Sequence, residues 1–155
     1  MVWLGKHWKA TEFACNQPES PCDCSFTEIH PLAVEIADLV RGKLGVPLRS
    51  NSACRCSAKN EKVGGRSRSL HLRQTDGFAH AIDLTFVRPG LRSPARILRL
   101  ALAIEGAAVA IERERGRKCS IGMGIYPWGV HFDVRGEVGR PPARWSGDFP
   151  YPPLK

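Results

Sequence analysis

One domain that mixes helices with strands is what this sequence predicts, and three observations predict it. Apolar residues recur with a helical period over 28–44 and again over 94–105. Residues 78–87 and 130–134 alternate with the two-residue period of a strand. The chain is 155 residues long, enough to bury one core, and no composition shift, repeat or low-complexity tract marks a second domain. The expected organisation is a single domain over 1–155, with an irregular N-terminal segment, 1–27, and a Gly/Pro-rich C-terminal arm, 136–155.

In chain order, Trp3, Trp8, Phe13 and Phe26 are the anchors of the N-terminal segment. Ile29, Leu32, Ala33, Ile36, Leu39, Val40 and Leu44 form the apolar stripe of the first helix, with Thr27 as N-cap and Gly45 as its stop. Residues 47–53 read as a short strand, and 57–63 as a helical turn closed by Gly64-Gly65. In the strand 78–87, Phe78, His80, Ile82, Leu84 and Phe86 share one face, and Ala79, Ala81, Asp83 and Thr85 the other. Ser93-Pro94 is an N-cap followed by an N1 proline. It opens a helix with Ile97, Leu98, Ala101, Leu102 and Ile104 inward, ended at Gly106. Strands are expected at 107–112 and 119–126 around a charged turn, 112–118. A strand at 130–134 places His131 beside Asp133.

The chain carries 23 Lys and Arg against 15 Asp and Glu, a net charge of +8. The basic residues are scattered, without a basic helix or an aromatic ladder, so diffuse attraction to a polyanion fits better than specific nucleic-acid binding. No apolar run approaches the length of a membrane span, so no membrane insertion is expected. The first residues lack a charged and then apolar leader, so no secretory signal is expected either.

Ser69-Leu70-His71, Ala81-Ile82-Asp83 and Val130-His131-Phe132-Asp133 carry the chemistry. Two histidines and a carboxylate are the ligand inventory of a catalytic zinc site, in which a fourth position holds water and lowers its pKa to about 7. His80 is the rival histidine, but strand alternation puts it on the face opposite Asp83, where it packs rather than ligates. Asp133 shares a face with His131. It is either the group that moves the proton or a partner that orients the histidine. The six cysteines, at 15, 22, 24, 54, 56 and 119, include a set, Cys15, Cys22, Cys24 and Cys56, that could hold a structural metal. The plainer alternative is buried free thiols with one bridge.

Read together, these segments resemble the zinc D-Ala-D-Ala carboxypeptidase and murein endopeptidase family, in the branch common in phages and bacteria. The resemblance runs through most of the chain. His7-Trp8-Lys9-Ala10-Thr11-Glu12-Phe13-Ala14-Cys15 is similar to the family's opening "HF-x-x-x-EF-x-C". Ser50 to Cys56, then Asn60 and Val63-Gly64-Gly65, are similar to "SGYRCP…N…VGG". Ser69-Leu70-His71 matches "S-x-H", and Gly122 to Tyr126 with Val130 to Gly136 is similar to "GGIGYY…VHVDVRG". Arg144-Trp145 matches the closing "RW". The sequence departs from the pattern between His71 and Asp83, where eleven residues stand for the usual six, with a turn signal at Asp76-Gly77.

The resemblance implies an α+β fold shared with the hedgehog N-terminal domain: a small antiparallel sheet carrying the metal on one face, with helices behind. It implies His71, Asp83 and His131 as zinc ligands. Arg55 stands where the family aims an arginine at the cleft, to stabilise an oxyanion. Ser69 and Tyr126 are candidate substrate contacts, each with a plainer role in loop or core. The expected function is a zinc peptidase that cuts peptidoglycan peptides, as murein endopeptidase or D,D-carboxypeptidase. The expected setting is a phage endolysin held in the host cytoplasm until a holin releases it, or a tail-associated lysin. Partners would then be the peptidoglycan peptide, the anionic wall and, in a tail, other virion proteins. The alternative is a non-catalytic virion or wall-binding protein that keeps the fold.

Overall fold

The computed structural model describes residues 2–15 and 28–147. Among the described residues, seven strands and three α-helices follow one another as β1 (Trp3–Leu4), β2 (Trp8–Lys9), α1 (Pro31–Leu44), β3 (Leu48–Ser52), α2 (Ser57–Lys62), β4 (Ala81–Phe86), α3 (Pro94–Arg115), β5 (Gly122–Tyr126), β6 (Gly129–Asp133) and β7 (Ala143–Ser146). The mixed α+β class is as the sequence predicts.

The main sheet has the order β3-β4-β6-β5-β7. Its first four strands pair antiparallel, but β7 runs parallel to β5, so the sheet is not wholly antiparallel. The core lies between one face of this sheet and the helices α1 and α3, which also pack on each other. Ile82, Leu84 and Phe86 of β4, Val130 and Phe132 of β6, and Met123 and Ile125 of β5 fill the sheet side. Ile36, Val40, Ile97, Leu100 and Ile104 fill the helix side. Strand alternation therefore turns Asp83, His131, Asp133 and Gly124 to the other face.

Several boundaries differ from the sequence reading, each for a local reason. Helix α1 starts at Pro31 because residues 28–30 are already committed to β-type pairing: the Ala79 N–H donates to Glu28 O and the His30 N–H to Ala79 O. The cap is His30, whose Nδ1 accepts from the Leu32 N–H at 3.2 Å, and not Thr27, which lies outside the described residues. Gly45 ends the helix in the left-handed region, as expected (φ 62°). Leu39 of the expected stripe faces solvent.

Helix α3 does not stop at Gly106. It runs on to Arg115 and ends at Gly116 (φ 61°), so the strand expected at 107–112 is helix, and the charged turn is mostly its last turn. A mid-helix glycine costs only about 1 kcal/mol against alanine. The buried faces of Ala103, Ile104, Ala107, Ala108 and Ile111 continue the helical period across it. Arg113 and Arg115 in the last turn suit the negative end of the helix dipole. Leu102, expected inward, is 52% exposed, and Leu100 takes the core position.

The N-terminal segment is ordered where described: β1 and β2 form a small hairpin, and a 3₁₀ turn follows over Ala10–Phe13. Trp8 and Phe13 are fully buried, Trp3 is exposed, and Phe26 lies outside the described residues. The first part of the C-terminal arm, through Gly147, is likewise part of the fold, because β7 completes the sheet beside β5. Among the described residues, no helix is long and apolar enough to cross a membrane.

Candidate metal centre

One row of paired residues crosses the sheet. Ser52 of β3 pairs with Asp83 of β4, Asp83 with His131 of β6, His131 with Gly124 of β5, and Gly124 with Trp145 of β7. Neighbouring strands lie about 4.8 Å apart, so such a row brings side chains distant in sequence to contact distance without help from loops. Ser52 reaches the row through a shift of register between Ser50 and Ser52.

His71 comes to the row from a loop. Its backbone carbonyl accepts from the Arg55 N–H at 2.9 Å, and the Ser69 hydroxyl accepts from the His71 N–H at 3.3 Å. Its Nδ1 donates to the Ala53 carbonyl at 2.7 Å. A carbonyl only accepts, so Nδ1 carries the proton and Nε2 presents a lone pair to the row. Nε2 lies 3.2 Å from Asp83 Oδ1 and 3.2 Å from His131 Nδ1.

The insertion leaves this geometry intact. The Gln74 N–H donates to Phe78 O, the Gly77 N–H to Gln74 O, and the Phe78 N–H to Asp76 Oδ1, which makes a tight turn with Gly77 at φ 88°. His80 leaves the row, as alternation requires. It is fully buried, its ring tilted by 35° against that of His30 with centroids 4.7 Å apart, and its Nε2 lies 2.8 Å from Asp76 Oδ2.

His71, Asp83 and His131 each offer a ligand atom, and these atoms all lie within 4.8 Å of one another. His131 Nδ1 is 2.8 Å from Asp83 Oδ1. On the far side of the ring, His131 Nε2 is 3.1 Å from Asp133 Oδ2. Asp133 is 1% exposed. Its carboxylate also accepts from Arg135 Nε and Nη2, both at 2.8 Å, and from the Gly122 N–H at 3.2 Å. The guanidinium fits because position 122 has no side chain: a Cβ there would stand 2.3 Å from it. Asp83 uses its second oxygen, Oδ2, on Arg55 Nη2 at 3.1 Å, and Arg55 Nε donates to Ser52 at 2.8 Å.

The electrostatics follow from burial set against these contacts. Burial wins at His71, which is held neutral. At Asp83 burial is outweighed by the two imidazoles, and the carboxyl stays well below the usual range. At His131 burial is outweighed by the hydrogen bonds to Asp133 and Asp83, which lift its pKa to about 9. Asp133 is held low against burial by Arg135 and His131. A proton on His131, or a cation among the three ligand atoms, satisfies the same lone pairs.

The donor set fits zinc. Two imidazoles and a carboxylate are zinc ligand types, and each ring nitrogen on the far side is tied to an oxygen acceptor, the arrangement that fixes a metal-binding tautomer. The His71 and Asp83 side chains are 3% and 9% exposed, whereas His131 is 16% exposed, so the centre opens toward solvent on the His131 side. Tyr126 and Trp145 stand there. Trp145 donates to the Tyr126 hydroxyl at 2.8 Å and lies 5.5 Å from the His131 ring, and Tyr126 stacks on Trp128. A Cβ at Gly124 would come within 2.2 Å of the Trp145 indole, so glycine there lets the ring lie close to the row.

The expected site residues thus divide. His71, Asp83, His131, Asp133, Arg55 and Tyr126 come together. Ser69 touches His71 and shapes its loop. Of the four cysteines, Cys15 and Cys56 lie together elsewhere, and Cys22 and Cys24 lie outside the described residues. Trp145 and Arg135 were missed as site residues. The signal for both was strand and motif position: Trp145 sits in the "RW" pair and Arg135 in the "VRG" that follows His131.

The sequence profile of the Peptidase M15 family matches residues 6–115, which includes His71 and Asp83 and ends before His131. No curated protein matches. Among solved structures, the L-Ala D-Glu endopeptidase ChiX of Serratia marcescens is similar at 21% identity and a TM-score of 0.49, over 72% of this chain and 85% of that one. With the profile spanning most of the chain, the protein belongs to the M15 peptidase family.

Proposed function

We propose that this peptidase is a zinc enzyme that hydrolyses peptide bonds in the stem or cross-link of bacterial peptidoglycan. The observation that supports it most is the convergence of His71 Nε2, Asp83 Oδ1 and His131 Nδ1 on one point, with the outer nitrogen of each ring already engaged. Zinc bound there would polarise the scissile carbonyl and make water a competent nucleophile at neutral pH.

The residues around it divide the remaining work. Ala53 and Asp133 hold the two rings in the ligating tautomer. Arg55 draws off the second oxygen of Asp83, which leaves Oδ1 to face the centre, and it keeps a positive charge beside the place where negative charge develops on the substrate. Between the two roles open to Asp133, orienting His131 fits better. Both its oxygens are already engaged, by the His131 ring and the Arg135 guanidinium. Tyr126 and Trp145 form an aromatic wall on the open side, suited to the flank of a bound peptide.

A net charge of +8 supports an anionic wall polymer as the surrounding medium. The small size of the domain and this charge fit a phage lysin, either an endolysin or a tail-associated enzyme. Zymography on purified cell wall tests the reading: the zinc-loaded protein clears the wall, and chelator or His131→Ala abolishes clearing. Failure of the wild type to clear would favour a non-catalytic wall-binding role. Mass spectrometry of the released muropeptides identifies the bond.

A further inference from the structure

Cys15 and Cys56 are 41 positions apart in sequence, yet their Sγ atoms stand 3.9 Å apart. That is nearly twice the disulfide bond length of about 2.05 Å. It is close to the edge of a tetrahedron of sulfurs around zinc, about 3.8 Å for a Zn–S bond of about 2.3 Å. Cys15 is buried, at the end of the segment that carries the 3₁₀ turn. Cys56 is half-buried, and the Lys59 N–H donates to its sulfur at 3.3 Å.

We propose that Cys15 and Cys56 ligate a second, structural zinc ion, separate from the His71–Asp83–His131 centre. Cys54 stands two residues before Cys56 and is buried, and it enters as a control in the test. The centre would staple the N-terminal segment to residues 53–56, beside the existing bond from the Cys54 N–H to Phe13 O at 3.0 Å. The stapled run matters to the first centre. Ala53 holds the His71 ring, and Arg55 holds Asp83. Two more donors complete four-coordination. Cys22 and Cys24 lie outside the described residues and enter only as arms of the test.

Cobalt(II) titration of the reduced, metal-free full-length protein tests this. Sulfur ligation gives cobalt a near-ultraviolet charge-transfer band, which a His/Asp/His centre cannot produce. The band is expected in the wild type, in His131→Ala and in Cys54→Ser, and is expected to vanish in Cys15→Ser and Cys56→Ser. Zinc content should fall by about one ion per chain in either cysteine variant, with the ion at the other centre retained. The proposal is overturned by the absence of the band in the reduced wild type. It is equally overturned by a band that survives Cys15→Ser and Cys56→Ser but is lost with Cys22→Ser and Cys24→Ser. Should the serine variants not fold, thiol labelling of the wild type with peptide mapping decides. Zinc should protect Cys15 and Cys56 until chelator is added, and labelling indifferent to zinc would overturn the assignment.

Discussion

Asp83 and His131 are held by strands, and His71 by a loop, yet all three ligand atoms meet in one place. The strand-borne pair is positioned by the backbone: Asp83 and His131 are direct partners across β4 and β6, and the ladder between them sets their separation. The loop-borne histidine has no such ladder. It depends on a few specific bonds, to Ala53, Arg55 and Ser69. Regular structure thus positions two of the three candidate ligands. The third is only as well placed as the residues that pin its loop. The same contrast holds for the stretch between His71 and Asp83. Its turn closes on itself and re-enters the sheet at Ala81, so the extra residues never reach the row.

Substitutions can break this contrast at each level. The largest effect is expected from His131→Ala, which removes a ligand but leaves the strand. Metal affinity at this centre should fall by more than the 10- to 100-fold typical of an outer partner, with little change in melting temperature. Equilibrium dialysis and a thermal scan measure the two. Next is Asp133→Asn, which keeps the shape and weakens the hold on the His131 ring. Metal affinity should drop about 10- to 100-fold, and excess zinc should restore activity. Activity that stays lost at saturating zinc would instead make Asp133 the proton carrier.

Gly124→Ala tests the wall rather than the ligands. The new methyl would occupy the space of the Trp145 indole, so overpacking should cost about 1–3 kcal/mol, and KM should rise while zinc content stays unchanged. The smallest effect is expected in the loop. Asp76→Asn keeps the turn but weakens the hydrogen bond between the Asp76 carboxylate and the His80 ring, and should cost about 1 kcal/mol in urea unfolding without touching metal affinity. The sign of its pH dependence follows from the Asp76 carboxyl. Against desolvation, the Phe78 N–H and His80 hold it below its ordinary value. The wild type's advantage over the variant is therefore present above the unfolded carboxyl pKa of about 3.9 and is lost as the pH falls through the folded value.

Much of this was legible in the sequence because it depends on period and residue type. The two-residue alternation at Asp83 and His131 fixes which face each takes, whatever the neighbours, and so separated His80 from the ligands. The Ser93-Pro94 start of α3 and the Gly45 stop of α1 were readable for the same reason: caps are local chemistry. The end of α3 was not. Whether a glycine such as Gly106 stops a helix depends on the apolar faces that continue beyond it and on what they bury against, and no local signal carries that.

By itself, then, the sequence determined the α+β class, the candidate ligand types and the face each strand residue takes. These follow from steric and periodic rules that act over a few residues. Only the tertiary structure decided that Asp83, His131, Gly124 and Trp145 share one row. It alone decided that β7 joins the sheet parallel to β5, and that Cys15 meets Cys56. Each of these is a pairing between segments far apart in the chain, fixed by strand register and by the closing of a common core, and register is a property of two segments rather than of either one.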